Sequence, residues 1–224
     1  MSKLRILLFS LLLLSPLPSQ AEEGSLIGRM QNIEPSLVEI RTVYARTLKK
    51  RNGRAAIASY ERHGAGIIID PSGIIVTNTH IIANAPHTYV GLSNGKILEA
   101  TVLYSSEADF SFLKIKYPHP LKAITWADSS EAKIGQSIIA LGSSDYNYQS
   151  ILGGEITSLI ESRSSGAIEL LELNLNLYEG DSGGPILDQE GHLLGLVMAK
   201  RKTQDRKSYA IASNKIRQEY LKYR

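Results

Sequence analysis

The stretch Asn176-Leu-Tyr-Glu-Gly-Asp-Ser-Gly-Gly-Pro-Ile-Leu187 sets one serine, Ser182, between a glycine–acid pair and a Gly-Gly-Pro run. It reads either as a turn between strands or as the setting of a nucleophile, and partners elsewhere must decide. A serine hydroxyl attacks a carbonyl only when a base takes its proton and a third group orients that base. The candidate bases are His63, His80, His87, His119 and His192. His80 closes Ile74-Ile-Val-Thr-Asn-Thr-His80 and is predicted at the end of a buried strand, a stiff mounting that suits a base. A hydrogen-bonded structural histidine is the plainer alternative. His63 is placed at a turn, His87 follows Pro86, His119 lies between prolines, and His192 falls in the turn Asp188-Gln-Glu-Gly-His192. For the orienting acid, Asp109 stands immediately before the alternating run Phe110-Ser-Phe-Leu-Lys114, where its carboxylate could meet a histidine Nδ1–H. Asp70 and Asp128 sit in turn sequences. Acyl transfer also needs backbone N–H groups aimed at a developing oxyanion, which requires a tight turn of unusual dihedrals; Gly180 permits one. Gly183 and Gly184 allow close approach of a substrate backbone and a neighbouring strand.

The elements that must hold these residues are mostly strands. A short helix over Ser25–Ile33 halts near Pro35, and Ser36–Tyr44 alternates apolar and polar residues. Arg46–Ser59 is polar and basic, a long loop or hairpin. Gly64–Thr77 reads as strand, Asp-Pro-Ser-Gly turn, strand. Further strands are predicted at His87–Leu92, Ile97–Tyr104, Ser111–Ile115, Ser137–Leu141, Ile151–Ile160, Ala167–Leu173, Pro185–Leu187, Leu193–Ala199 and Ser208–Ala212. Ser213 is expected to cap a final helix over Asn214–Lys222. Many short strands with helix only at the ends indicate an all-β barrel or sandwich, and no linker divides it.

The 224 residues, 43% hydrophobic and 21% charged, suit an ordinary globular chain with a sizeable core. Met1-Ser-Lys-Leu-Arg5, the mostly apolar Ile6–Leu14 and the small residues Ser19 and Ala21 read as a secretory signal over residues 1–21. A retained anchor is the alternative, although the apolar run is shorter than the roughly 20 residues that span a bilayer. The expectation is an exported protein, periplasmic or secreted, with no stable membrane insertion after signal cleavage. Residues 1–21 hold Lys3 and Arg5 and no acid, so their loss lowers the basic count from 25 to 23 against 22 acids. Nothing then predicts nucleic-acid binding. The absence of cysteine excludes disulfides, a cysteine nucleophile and thiolate metal ligands.

With these residues in view, Gly180-Asp-Ser-Gly-Gly-Pro185 resembles the nucleophile motif of chymotrypsin-like serine proteases. Thr77-Asn-Thr-His80 and Ala108-Asp-Phe-Ser-Phe-Leu113 resemble their histidine and aspartate segments, in the same order and at spacings of 29 and 73 residues. Gly64–Asp70, Ile134–Gly142, Gly154–Ser158 and Tyr209–Ser213 are similar to segments of the cysteine-poor bacterial HtrA-like proteases, so the likeness runs over roughly residues 25–217. It implies a double β-barrel across residues 22–224, with subdomains near 36–120 and 132–212 and the site between them. His80, Asp109 and Ser182 would be the catalytic triad, and Gly180, Asp181 and Ser182 the oxyanion-hole segment, through the N–H groups of Gly180 and Ser182. By position, Asn176, Leu177 and Tyr178 would line one wall of the substrate pocket and Val197, Met198, Ala199 and Lys200 the other. An apolar lining without an acid suits a small or medium aliphatic residue, while Lys200 at the mouth leaves an acidic one open. Position 181 is Asp where HtrA proteins usually have Asn, and Glu22-Glu-Gly24 lacks the Ile-Val-Gly-Gly start that pairs with that Asp in animal enzymes. The PDZ domain usual in HtrA proteins is expected to be missing. The expectation is a serine endopeptidase acting on protein or peptide substrates without metal or cofactor, its association into a homo-oligomer left open. A catalytically weak binding or chaperone module and a glutamyl endopeptidase are the alternatives.

Overall fold

The computed structural model describes residues 26–49, 55–144, 147–177, 180–198 and 207–224. In β1 (Leu37–Lys49), Val38, Ile40 and Thr42 are fully buried, whereas Glu39, Arg41 and Val43 between them are part-exposed. That period of two fixes the strand's inner face and, with it, the register against β2 (Ala55–Asp70). Pairing runs from Leu37↔Ile67 to Lys49↔Ala55, so the described residues of the polar segment expected as a loop or hairpin are paired strand.

The first sheet adds β3 (Ile74–Thr77), β4 (His87–Leu92), β5 (Ile97–Glu99), β6 (Thr101–Ser105) and β7 (Ser111–Lys114), in the order β5-β4-β1-β2-β3-β7-β6. Its two end strands, β5 and β6, are separated in sequence by Ala100 alone, whose N–H donates to the Thr88 carbonyl at 2.8 Å. A sheet whose opposite edges are joined by one residue must be rolled up. Ile97–Tyr104 is thus two strands rather than the one expected, because the chain turns a barrel corner at Ala100. The second sheet is a closed barrel, β10-β13-β12-β11-β8-β9, built from β8 (Ser137–Ser144), β9 (Asn147–Glu161), β10 (Ile168–Leu173), β11 (Pro185–Leu187), β12 (Leu193–Val197) and β13 (Ser208–Ala212). Closure leaves no free strand edge. The molecule is an all-β double barrel with helix α1 (Leu26–Ile33) at its start and α3 (Ser213–Tyr223) at its end.

Three apolar clusters hold this arrangement. One fills the first barrel, around Ile40, Ile68, Ile75 and Leu113; a second fills the closed barrel, around Ile138, Ile156, Leu171 and Leu173. The third lies between the barrels and joins Ile67, Val76 and Phe112 of the first to Leu187, Leu196 and Ile211 of the second. Helix α3 leaves the second barrel and ties back to the first. Tyr220 packs edge-on against Phe112 at 5.9 Å, and its hydroxyl donates to Asp70 Oδ2 at 2.6 Å. Hydrogen bonds from Ser72 and Tyr220 hold the Asp70 carboxyl down at a pKa of about 2. Burial and the same bond push the Tyr220 phenol up to about 12. Asp70 is therefore a structural acceptor.

Ser213 does not cap α3. It is the first helical residue, and its Oγ donates to the Ala127 carbonyl at 3.0 Å. The cap comes from a distant turn: Ser129 Oγ accepts from Asn214 N–H at 3.0 Å, and Asp128 Oδ1 accepts from Asn214 Nδ2 at 2.6 Å. Asp128, like Asp70, is spent on structure.

Candidate active site

Strand β3 ends at Thr77, as the Gly64–Thr77 pattern predicts, but His80 does not close a strand: it sits on a one-turn helix, α2 (Thr79–Ile82). Asn78 begins the departure, and the buried polar residues of β1 hold the turn in place. Thr42 Oγ1 donates to the Ile81 carbonyl at 3.2 Å and Tyr44 Oη to the Ala83 carbonyl at 2.9 Å. Two hydroxyls on a strand's inner face thus anchor the backbone on either side of Ile82, just beyond the histidine.

Asp109 lies in the turn before β7 with φ of 65°, a left-handed conformation that costs a non-glycine residue about 1–2 kcal/mol. Hydrogen bonds from the α2 segment hold it there. The Asp109 carbonyl accepts from Asn78 Nδ2 at 2.9 Å and from Thr79 N–H at 3.3 Å. Its carboxylate accepts from His80 N–H through Oδ1 at 2.9 Å. The same carboxylate faces the His80 ring, with Nδ1 at 2.8 Å from Oδ2 and 3.1 Å from Oδ1. An ionised carboxylate only accepts, so Nδ1 carries a proton, and in the neutral ring Nε2 is then the nitrogen that can accept one. Strain held by several independent bonds is typical of functional sites.

The other histidines are otherwise engaged. His63 lies within β2 rather than in a turn, between Glu39 at 3.1 Å and Glu61 at 3.4 Å. His87 meets Glu99 at 2.9 Å, and His192 leans on Asp188 at 3.5 Å. His119 is exposed, next to Tyr117.

Ser182 belongs to the other barrel, on the turn leading into β11, and is 8% exposed. Its carbonyl accepts from Ala65 N–H of β2 at 2.9 Å, which fastens the turn to the first barrel. Gly183, with φ of 81°, lies so close to β2 that an added Cβ would stand 2.1 Å from the Ala65 carbonyl oxygen. That oxygen in turn accepts from Thr77 Oγ1 at 2.7 Å, three residues before His80. Behind the turn, Gly183 N–H donates to the Val197 carbonyl at 3.2 Å and Val197 N–H to the Gly184 carbonyl at 2.9 Å. Gly180 has φ of 105°, and the N–H groups of Gly180 and Ser182 have no hydrogen-bond partner among the described residues. Asp181 is 1% exposed and is not without a partner. The ring of His80 bonds only to Asp109 among the described residues, so Ser182 Oγ and His80 are not yet hydrogen-bonded to each other.

Of the residues expected around a pocket, Asn176 is exposed and Met198 half-buried against the inter-barrel core. Leu177 at 3% and Val197 at 1% exposure turn their side chains into the second barrel, leaving their main chain as what a cleft can use. Tyr178, Ala199 and Lys200 lie outside the described residues. Sequence reasoning missed the supporting residues Ala65, Thr77 and Asn78, although a Thr-Asn-Thr run beside a histidine is a visible polar break in an apolar strand.

Two β-barrels, with a carboxylate-oriented histidine on one and a glycine-flanked serine on the other, make up a two-barrel domain of the trypsin-like class. The comparisons with known proteins agree: residues 64–196 match the trypsin-like peptidase domain, and the chain belongs to that family. It is 29% identical to Serine protease HTRA1A of Danio rerio, over 84% of this chain and 39% of that protein. It is 32% identical to Probable periplasmic serine endoprotease DegP-like of Rickettsia conorii, over 59% of this chain and 27% of that protein. Serine protease Do-like HtrA of Bacillus subtilis is 27% identical over 88% of this chain and 48% of its own length. The chain thus spans between about a quarter and a half of the length of these curated relatives. Among the described residues no helix is long and apolar enough to cross a membrane.

Proposed function

We propose that the protein is an exported serine endopeptidase in which Ser182 is the nucleophile, His80 the general base and acid, and Asp109 the residue that orients it. The observation that carries this reading is the two-point grip of Asp109 on His80, which fixes the ring and turns Nδ1 to the carboxylate. Ser182 Oγ attacks the peptide carbonyl as its proton passes to Nε2, and the tetrahedral oxyanion forms. His80 then protonates the leaving amine, giving an acyl-enzyme that water hydrolyses by the same steps in reverse roles. The N–H groups of Gly180 and Ser182, unpartnered among the described residues, are the donors for the oxyanion, with Asp181 linking them. The Ser182–His80 hydrogen bond forms when substrate closes the site, as catalytic hydrogen bonds often tighten only in the complex.

By sequence, the Asn176–Tyr178 and Val197–Lys200 segments would flank the residue before the scissile bond, and their lack of an acid suits a small or medium aliphatic one. Export is supported by the signal-like residues 1–21 and by the word periplasmic in the name of one relative. Cleavage of a peptide library, read by mass spectrometry, tests the preferred residue and the nucleophile. Cuts after aliphatic residues that vanish in Ser182→Ala are expected. A strong preference for Glu or Asp would replace the aliphatic assignment, and unchanged cleavage by Ser182→Ala would overturn the nucleophile.

A further inference from the structure

One fully buried hydroxyl beside the candidate site has no part in the triad. Ser111 begins β7 in the run Phe110-Ser-Phe-Leu113, two residues after Asp109, and has no exposed surface. A hydroxyl in such a place is costly unless it is hydrogen-bonded. Ser111 is bonded on both sides: its Oγ donates to Ser105 Oγ at 2.9 Å and lies 2.9 Å from Thr79 Oγ1. A hydroxyl has one proton, and that of Ser111 goes to Ser105, so Thr79 is the donor to Ser111. A directed chain from Thr79 through Ser111 to Ser105 results, and its last member is exposed and can donate to water. The Ser106 carbonyl, 3.3 Å from Thr79 Oγ1, is the longer alternative for the same proton.

The strand pairing shows what this chain adds. Thr77↔Ser111 is the last pair between β3 and β7, and Ser105↔Ser111 the last between β6 and β7. Beyond Thr77 the backbone departs into α2, and no strand pairing holds Thr79 or His80 to β7. The Thr79 side chain reaches back across that gap and fastens the first residue of α2 to the first residue of β7. Three other ties across the gap, from Asn78 Nδ2, Thr79 N–H and His80 N–H, all end on Asp109 itself. Asp109 is the residue with left-handed φ, so these three pull on a strained turn. The hydroxyl chain ties α2 instead to the regular strand into which that turn leads.

We propose that Thr79 and Ser111 are positioning residues for the reaction: their hydroxyl chain sets the approach of the Asp109 carboxylate to the His80 ring, where Nδ1 stands 2.8 Å from Oδ2. Neither hydroxyl bonds to the ring or to the carboxylate, so both act through the elements they join. The inference rests on the peptidase reading, whose triad the chain would serve.

The test is steady-state hydrolysis of a peptide substrate by the full chain, as wild type, Thr79→Val, Thr79→Ser, Ser111→Ala and the Thr79→Val/Ser111→Ala double variant, with urea unfolding of each. Thr79→Val keeps the side chain's shape and removes its hydroxyl, whereas Thr79→Ser keeps the hydroxyl. A misplacement of roughly 1 Å costs about 100-fold in rate, so loss of one tie among several should lower kcat about tenfold. KM should stay unchanged, because no substrate contact is removed. Thr79→Ser should retain most of kcat, and the double variant should lose no more than the worse single one, since both substitutions break the same chain. A merely structural chain would lower the urea midpoints and leave kcat at the wild-type level, at a temperature where all five proteins are folded. That result would overturn the inference and leave the triad standing, as would fully additive losses or a loss in Thr79→Val that Thr79→Ser shares. A folded wild type that neither cleaves peptide nor takes a fluorophosphonate on Ser182 would overturn the peptidase reading, and this inference with it.

Discussion

Replacing Gly183 by alanine isolates the contact that brings the two halves of the candidate site together. The new Cβ would lie 2.1 Å from the Ala65 carbonyl oxygen and 2.8 Å from Thr77 Oγ1, against the 3.0 Å that real Cβ atoms essentially never undercut. One side must therefore give by about 0.9 Å. Ala65 is pinned by its pairing with Glu39 of β1 and by the Thr77 hydroxyl, so the serine turn is the side that moves. Left-handed φ costs alanine about 1–2 kcal/mol, and overpacking adds about 1–3 kcal/mol, for a destabilisation of about 2–5 kcal/mol. A misplacement of roughly 1 Å costs about 100-fold in rate. Gly95 supplies the control, with φ of 80° and nothing within 4 Å of its added Cβ. Gly95→Ala should lose only the dihedral cost and keep its kcat. Urea unfolding gives the stabilities, and steady-state peptide hydrolysis, at a temperature where all three proteins are folded, gives the rates. If Gly183→Ala matches Gly95→Ala in stability, or keeps kcat within about threefold of wild type, the barrel-to-barrel fastening is not what positions Ser182.

Two further outcomes follow from the site and the fold. Asp109→Asn preserves shape but presents an amide to His80 Nδ1, favouring the wrong tautomer; kcat should fall about 10⁴-fold with KM little changed, measured with a peptide substrate. Asp70 has its folded pKa lowered from 3.8 to about 2, so it contributes stability above the unfolded value that is lost as pH falls through the folded one. After discounting for partial exposure this is about 1–2 kcal/mol. Urea midpoints of wild type should therefore drop between roughly pH 4 and pH 2 by more than those of Asp70→Asn, which should be the less stable protein at neutral pH. Parallel pH profiles would contradict it.

The all-β class was legible because period-two patterning in strands such as β1 directly reflects one buried face. His80 and Asp109 were legible as candidates from their places beside apolar strands. Their conformations were not. The one-turn helix under His80 depends on Thr42 and Tyr44, nearly 40 residues away, and the left-handed Asp109 on Asn78 and Thr79. Ser213 looked like a helix cap because the sequence shows local capping chemistry only, whereas the cap comes from Ser129 across the fold. Likewise Leu177 and Val197 were expected at a pocket wall, and their burial in the second barrel depends on pairings distant in sequence, such as that of β10 with β13 at Leu170↔Ile211.

The central claim is that Ser182 is a nucleophile activated by His80 and Asp109. Its most direct measurement is labelling of the folded protein by a fluorophosphonate, with mass-spectrometric mapping of the adduct. One adduct on the peptide containing Ser182, abolished in Ser182→Ala and strongly slowed in His80→Ala, is the predicted result. A folded wild type that stays unlabelled, or a label that persists in Ser182→Ala, would contradict it.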